Sequence, residues 1–244
     1  MTTPLFALEN PPASELSLAE RQTFLERLKD IDGLPQIDPL TTRACVYEFP
    51  FYPDKDLVVL TNARWRPEGA RLCFMRSDMD VWHLNGTSPP VHEMNARTEL
   101  VITEDCVLRY LAFFCFFVRG EDGPFLIVDR PSNSFLPADK DVHGKLVEVY
   151  RAARRCKQTG DGDWHVTALV YYSHATFLAD FLVHLSGMIE MLDDHPVAAN
   201  LAAKVDAPLR VDEVVPETAA PENVKTSSGF DLWAWLPERW RKSN

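Results

Sequence analysis

Residues 102–129 read ITEDCVLRYLAFFCFFVRGEDGPFLIVD. From Cys106 to Val118 almost every side chain is apolar, so a helix here has no polar stripe for water and must be covered nearly all round. Thr103, Glu104 and Asp105 stand just before the run, where a hydroxyl or carboxylate can accept the unpaired amides of a first helical turn. Arg119 suits the negative end of such a helix, and Gly120 can take the left-handed conformation that closes it. The 13 residues, interrupted by Arg109, fall short of the roughly 20 needed to cross a bilayer. A buried core helix is therefore expected. Glu121, Asp122, Gly123 and Pro124 then make a turn, and the four apolar residues from Phe125 to Val128 predict a short buried strand packed back on the helix.

Upstream, residues 1–16 carry Pro4, Pro11 and Pro12 without periodicity and read as a flexible N-terminus. Ser17 and Glu20 have the spacing of a capping box, and Leu18, Phe24, Leu25 and Leu28 give the following helix an apolar face up to about Asp30. Between Ala44 and Leu84 short apolar and aromatic runs predict antiparallel strands at Cys45 to Phe49, Leu57 to Thr61, Arg71 to Arg76 and Val81 to Leu84. Asn85 and Gly86 suit a tight turn. The adjacent Pro89 and Pro90 argue against a helix in 87–97.

Downstream, Trp164, Val166, Ala168, Val170 and Tyr172 alternate, as do Ala175, Phe177, Ala179, Phe181 and Val183. A turn at Ser173 and His174 makes opposed residue numbers sum to 347, which places both apolar sets on one face, as a hairpin packed on a core requires. A competing helix over 175–192 would use the fourfold recurrence of Phe177, Phe181, Leu185 and Ile189, but Gly187 interrupts it. Strands at Lys145 to Arg155 and Met188 to Leu192 would extend the hairpin to a meander. The expectation is a single α+β domain over 17–203, an antiparallel sheet or meander packed around a buried central helix. Beyond Ala203 the composition turns to Pro, Glu, Asp, Thr and Ser, so 204–229 read as a disordered linker, and 230–244 as a short aromatic tail holding three of the six tryptophans.

With 36 acidic against 25 basic residues, the formal net charge is -11, which opposes nonspecific attraction to nucleic acid or an anionic membrane. Five cysteines, odd in number and without a C-x-x-C pair, suggest neither a disulfide framework nor a zinc knuckle. The N-terminus has no basic stretch followed by an apolar one, which reads as a cytoplasmic protein. No P-loop, G-x-G-x-x-G, G-x-S-x-G or calcium-loop pattern occurs, so no cofactor is expected.

Four constellations remain. His92, Glu93 and Asn95 offer an imidazole, a carboxylate and an amide in one segment, the rival being that they satisfy backbone groups there. H-E-x-x-H fails at Ala96. His165, His184 and Asp180 would be neighbours on the hairpin, although a plain surface role is expected and no metal. Arg151, Arg154, Arg155 and Lys157 form the one dense basic cluster, read as a solvated strand end. Finally, Phe230, Trp233, Trp235, Leu236 and Trp240 suit a tethered element that docks a partner protein, or folds back on its own domain. The functional expectation is a noncatalytic binding or adaptor protein; the alternative is a small hydrolase-like enzyme using His92 and Glu93.

Overall fold

The computed structural model describes residues 8, 11–128, 155–199, 201 and 207–216. In chain order the elements are β1 (Ser14–Glu15), α1 (Leu18–Glu26), β2 (Arg43–Phe49), β3 (Tyr52–Thr61), β4 (Trp65–Arg66), β5 (Arg71–Arg76), β6 (Val81–His83), α2 (Pro89–Ala96) and α3 (Val107–Phe117). There follow β7 (Leu126–Ile127), β8 (Arg155–Gln158), β9 (Trp164–Tyr172), β10 (Ala175–Val183), β11 (Ile189–Ala198) and β12 (Glu213–Val214). Helices and antiparallel sheets are thus mixed, as in an α+β fold. No helix of the described residues is long and apolar enough to cross a membrane. The described residues divide into two compact units interleaved along the chain: 49–53 with the described part of 86–206, and 8–48 with 54–85 and 207–216.

In the first unit α3 buries nine of its eleven residues, as an all-round apolar sequence demands. Phe113 lies within 5.6 Å, ring to ring, of Phe49, Phe51 and Tyr52. The ends differ from expectation. The N-cap is Cys106, without a capping side chain, so Glu104 and Asp105 do not close the helix. Instead the Cys106 thiol accepts the Thr103 amide and donates to the Val101 carbonyl, both at 3.2 Å. At the other end Val118 is already extended, and Gly120 pairs with Gly123 across the turn rather than capping the helix. A Cβ on Gly120 would collide with the Tyr172 ring, so glycine is required there for close approach. Arg119 does serve the helix end, its Nε donating to the Phe116 carbonyl at 3.0 Å.

The sheet of this unit runs β11-β10-β9-β7, with β8 also on β9. β9 and β10 pair in the register expected, Trp164 with Val183, Val166 with Phe181 and Val170 with Phe177, and Ser173 turns between them at φ 55°. The helical alternative for 175–192 is therefore excluded. Gly187, which breaks that helical pattern, sits in the β10–β11 connection at φ 81°. The following strand extends to Ala198, well past Leu192. Of the strand expected at 145–155, all but Arg155 lies outside the described residues; pairing with β9 occupies Arg155 to Gln158.

Residues 89–96 correct the reading against a helix: α2 forms there with both prolines in its first turn. Amides at those positions have no intrahelical acceptor, and proline's φ already suits a helix, so Pro89 and Pro90 begin it rather than break it. Asn85-Gly86 makes no hairpin; Gly86 takes φ 98° and its carbonyl receives the Arg119 amide at 3.0 Å.

The second unit carries the sheet β1-β2-β3-β5-β6, and Phe24, Val46, Val58, Leu60, Leu72 and Phe74 lie in its core. α1 has the capping box: Ser17 Oγ accepts the Glu20 amide and the Glu20 carboxylate accepts the Ser17 amide. Phe24 and Leu28 are buried, but Leu18 is 42% exposed and faces away from the core. Two segments read as loose are paired instead. Ser14 and Glu15 lie opposite Val46 and Cys45, because a strand edge offered backbone partners that composition does not reveal. Residues 207–216, placed in the linker by composition, bury Ala207 and Leu209 and form β12 against β4. The remainder of 204–229, apart from 207–216, and the tail 230–244 lie outside the described residues.

Candidate functional site

The first unit carries a half-open cavity of about 290 Å³, with Met191 and Asp194 at its exposed side. α3 contributes Phe114 and Cys115, followed by Val118, and Phe125 comes from the strand-like return after the Gly120–Gly123 turn. The facing sheet supplies Val170 and Tyr172 from β9, Phe177, Ala179 and Phe181 from β10, and Ile189, Met191 and Asp194 from β11. The alternation of β9 and β10 explains their part in it, since residues two apart project to one face. Phe125 stacks on Tyr172 at 4.2 Å between ring centroids, and the Tyr172 hydroxyl accepts the Asp122 amide at 3.0 Å. Burial pushes the Cys115 thiol up to about 12, so it remains protonated and acts as a small apolar wall group.

β11 reaches the cavity through two irregularities. Phe181 opposes Met191 while Asp180 opposes Asp193, so Leu192 is an extra residue between them. The resulting bulge makes Asp194 the partner of Ala179 and brings a carboxylate to a position that unbroken alternation would give to Asp193. A second shift follows the Phe177–Pro196 pair, where Val197 is extra and Ala198 lies opposite Thr176. β11 is the last strand of its sheet among the described residues, where a proline, bulges and acidic side chains are tolerated and discourage indiscriminate strand pairing.

His92, Glu93 and Asn95 all lie on α2 but do not converge. His92 packs half-buried against the Phe114 ring at 5.9 Å, and Glu93 points outward in an ion pair with Arg97 at 3.0 Å. Asn95 turns inward. Its Oδ1 accepts the Tyr52 hydroxyl at 2.6 Å, its Nδ2 donates to the Tyr110 oxygen at 2.8 Å, and the Tyr110 hydroxyl donates to the Gly187 carbonyl at 2.6 Å. Burial holds both phenols well above their ordinary pKa, which keeps this chain of bonds neutral.

The hairpin histidines also separate. His165 lies opposite Leu182 on one side and Lys157 on the other, and Asp180 accepts the Thr167 hydroxyl. His184 sits past the end of β10, its Nδ1 2.7 Å from Asp163 and its Nε2 3.2 Å from Glu190. Among the described residues no group of three or more His, Cys, Asp or Glu is arranged to hold a metal ion. Burial opposes the charge on His184, but the two carboxylates together outweigh it and hold the imidazole above its ordinary pKa. The Leu185 amide first, and then His184, lower that of Asp163. With the folded pKa raised, the contribution of this clamp is complete below the ordinary histidine value of about 6.5 and is lost as pH rises through the folded value. Hydrogen exchange at the Gly187 and Met188 amides is accordingly expected to speed up between pH 6 and 8 by more than the intrinsic rate does. His184→Phe should remove the excess.

Of the basic cluster, Arg155 and Lys157 lie on β8 opposite Thr167 and His165, with Lys157 exposed, whereas Arg151 and Arg154 are outside the described residues. So are Phe230, Trp233, Trp235, Leu236 and Trp240. A second hollow, about 610 Å³, lies in the other unit between α1 and residues 31–39, but its walls mix Glu26 and Lys29 with Leu25, Leu34 and Ile37. The apolar cavity of the first unit escaped sequence reasoning. Its signal was only the run of aromatic residues on α3 and on the alternating face of β10, which a fully packed core would also produce.

Comparison of the chain with protein-family models, with curated proteins and with solved structures finds no match.

Proposed function

We propose that this is a noncatalytic binding protein whose first unit holds an apolar group in the cavity beside α3. The observation that carries the reading is the cavity itself: a preformed space of about 290 Å³ walled by aromatic and aliphatic side chains, close to the usual size of small-ligand sites. Of the residues that the enzymatic alternative would use, Asn95 is bonded to two tyrosines, Glu93 is paired with Arg97, and His92 packs against the Phe114 ring. In this reading the aromatic segment 230–244 is a second element, which docks a protein partner through Phe230, Trp233, Trp235, Leu236 and Trp240; large aromatics of this kind dominate binding hot spots.

The test is titration of the full chain with N-phenyl-1-naphthylamine, a neutral probe that fluoresces in apolar surroundings. Saturable uptake at one site per chain is expected, and it should be lost in Ala179→Phe, which fills the cavity from its sheet wall. Circular dichroism would confirm that the variant is folded. Uptake that is absent, or unchanged in a folded Ala179→Phe protein, would overturn the reading.

A further inference from the structure

The cavity has one charged side chain in its lining, Asp194, and the chemistry around that carboxylate narrows what can enter. Neighbouring acidic groups of β11 are engaged: Asp193 lies 3.4 Å from His195, and Glu190 lies 3.2 Å from His184. Asp194 makes no side-chain ion pair or hydrogen bond among the described residues, although the Leu192 bulge turns it toward the apolar face of the sheet. An unpaired carboxylate at the mouth of an apolar space is poorly suited to an anionic guest. A cation is favoured by the same charge. Phe177 and Phe181, on the same face of β10 as Ala179, supply apolar contact for the rest of such a guest.

Size sets the other limit. A cavity of about 150 Å³ accommodates benzene, so the space here suits an apolar body of roughly two rings or a chain of about eight carbons. We propose that the cavity beside α3 binds a small amphiphilic cation, whose apolar body lies between α3 and β10 and whose ammonium group meets the Asp194 carboxylate. This rests on the binding-protein reading above and adds the charge and size class of the ligand.

The experiment is calorimetric titration of the full chain at pH 7 with three probes of equal length, n-octylamine, n-octanol and n-octanoate, repeated on Asp194→Asn. The amine is expected to bind about fivefold to tenfold more tightly than the alcohol, the scale of a partly exposed charge-assisted hydrogen bond, and the carboxylate most weakly. Asp194→Asn should bring the amine to the level of the alcohol and leave the alcohol within about twofold of its original affinity. Equal binding of all three probes, or an amine preference that survives Asp194→Asn, would overturn the proposal while leaving the cavity a binding site. Failure of every probe to bind would count against both readings.

Discussion

Gly187→Ala is expected to lower the stability of the first unit by roughly 2–5 kcal/mol, read as a fall in the urea midpoint at unchanged slope. Two costs coincide. The backbone is held at φ 81°, where an L side chain is strained by about 1–2 kcal/mol. The added methyl would also land on half-buried Leu100 and on the Asn95 amide and Tyr110 hydroxyl, which could withdraw only by giving up their bonds to each other and to the Gly187 carbonyl. Gly33→Ala separates the two costs, since Gly33 has nearly the same φ of 78° but nothing within 4 Å of the position its Cβ would take. It should lose only about 1–2 kcal/mol. If the two substitutions cost the same, the close approach at Gly187 has no energetic weight.

The second large effect is expected at Asn95. Asn95→Ala removes the acceptor of the Tyr52 hydroxyl and the donor to Tyr110, leaving buried phenols underpaired, and should cost about 2–3 kcal/mol. The same variant decides between two roles for the residue. If Asn95 belongs to the scaffold, any loss of binding should track the loss of folded protein and recover as the temperature is lowered. A variant with full stability but no binding would place Asn95 in a site, as the hydrolase-like alternative with His92 and Glu93 requires.

The parts of the fold that were legible in the sequence are those fixed by local pattern. The register of β9 and β10 could be worked out because both strands alternate strictly and only one turn position puts Trp164, Val166, Phe177 and Phe181 on a common face. The capping box of α1 was legible because Ser17 and Glu20 act on each other's backbone within one turn. α2 was missed because two prolines were weighed as helix breakers without regard to position, and the difference between the first turn and the interior is invisible until the helix start is known. β12 was missed because its stabilising partner, β4, lies about 150 residues away, so acidic and proline-rich composition outweighed the spacing of Leu209 and Val211. The site was least legible. Asp194 owes its place to a bulge of one residue, and nothing in IEMLDDHPVA distinguishes it from Asp193 until β10 is laid beside it.

The late pairing of β12 with β4 gives the second unit an order of assembly. Trp65, 1% exposed, belongs to the core cluster against which Val211 and Val214 pack, and Arg64 donates to the Val215 carbonyl at 2.7 Å. As the chain is synthesised, the β4 ribbon is thus made long before the strand that pairs with it. Until residues 207–216 emerge, Trp65 and its neighbours lack part of their cover, and an edge with unpaired backbone groups stays open to other chains. The ten-residue segment 207–216 thus acts as a latch on that edge, and it can close only after about 150 further residues have followed β4 in synthesis.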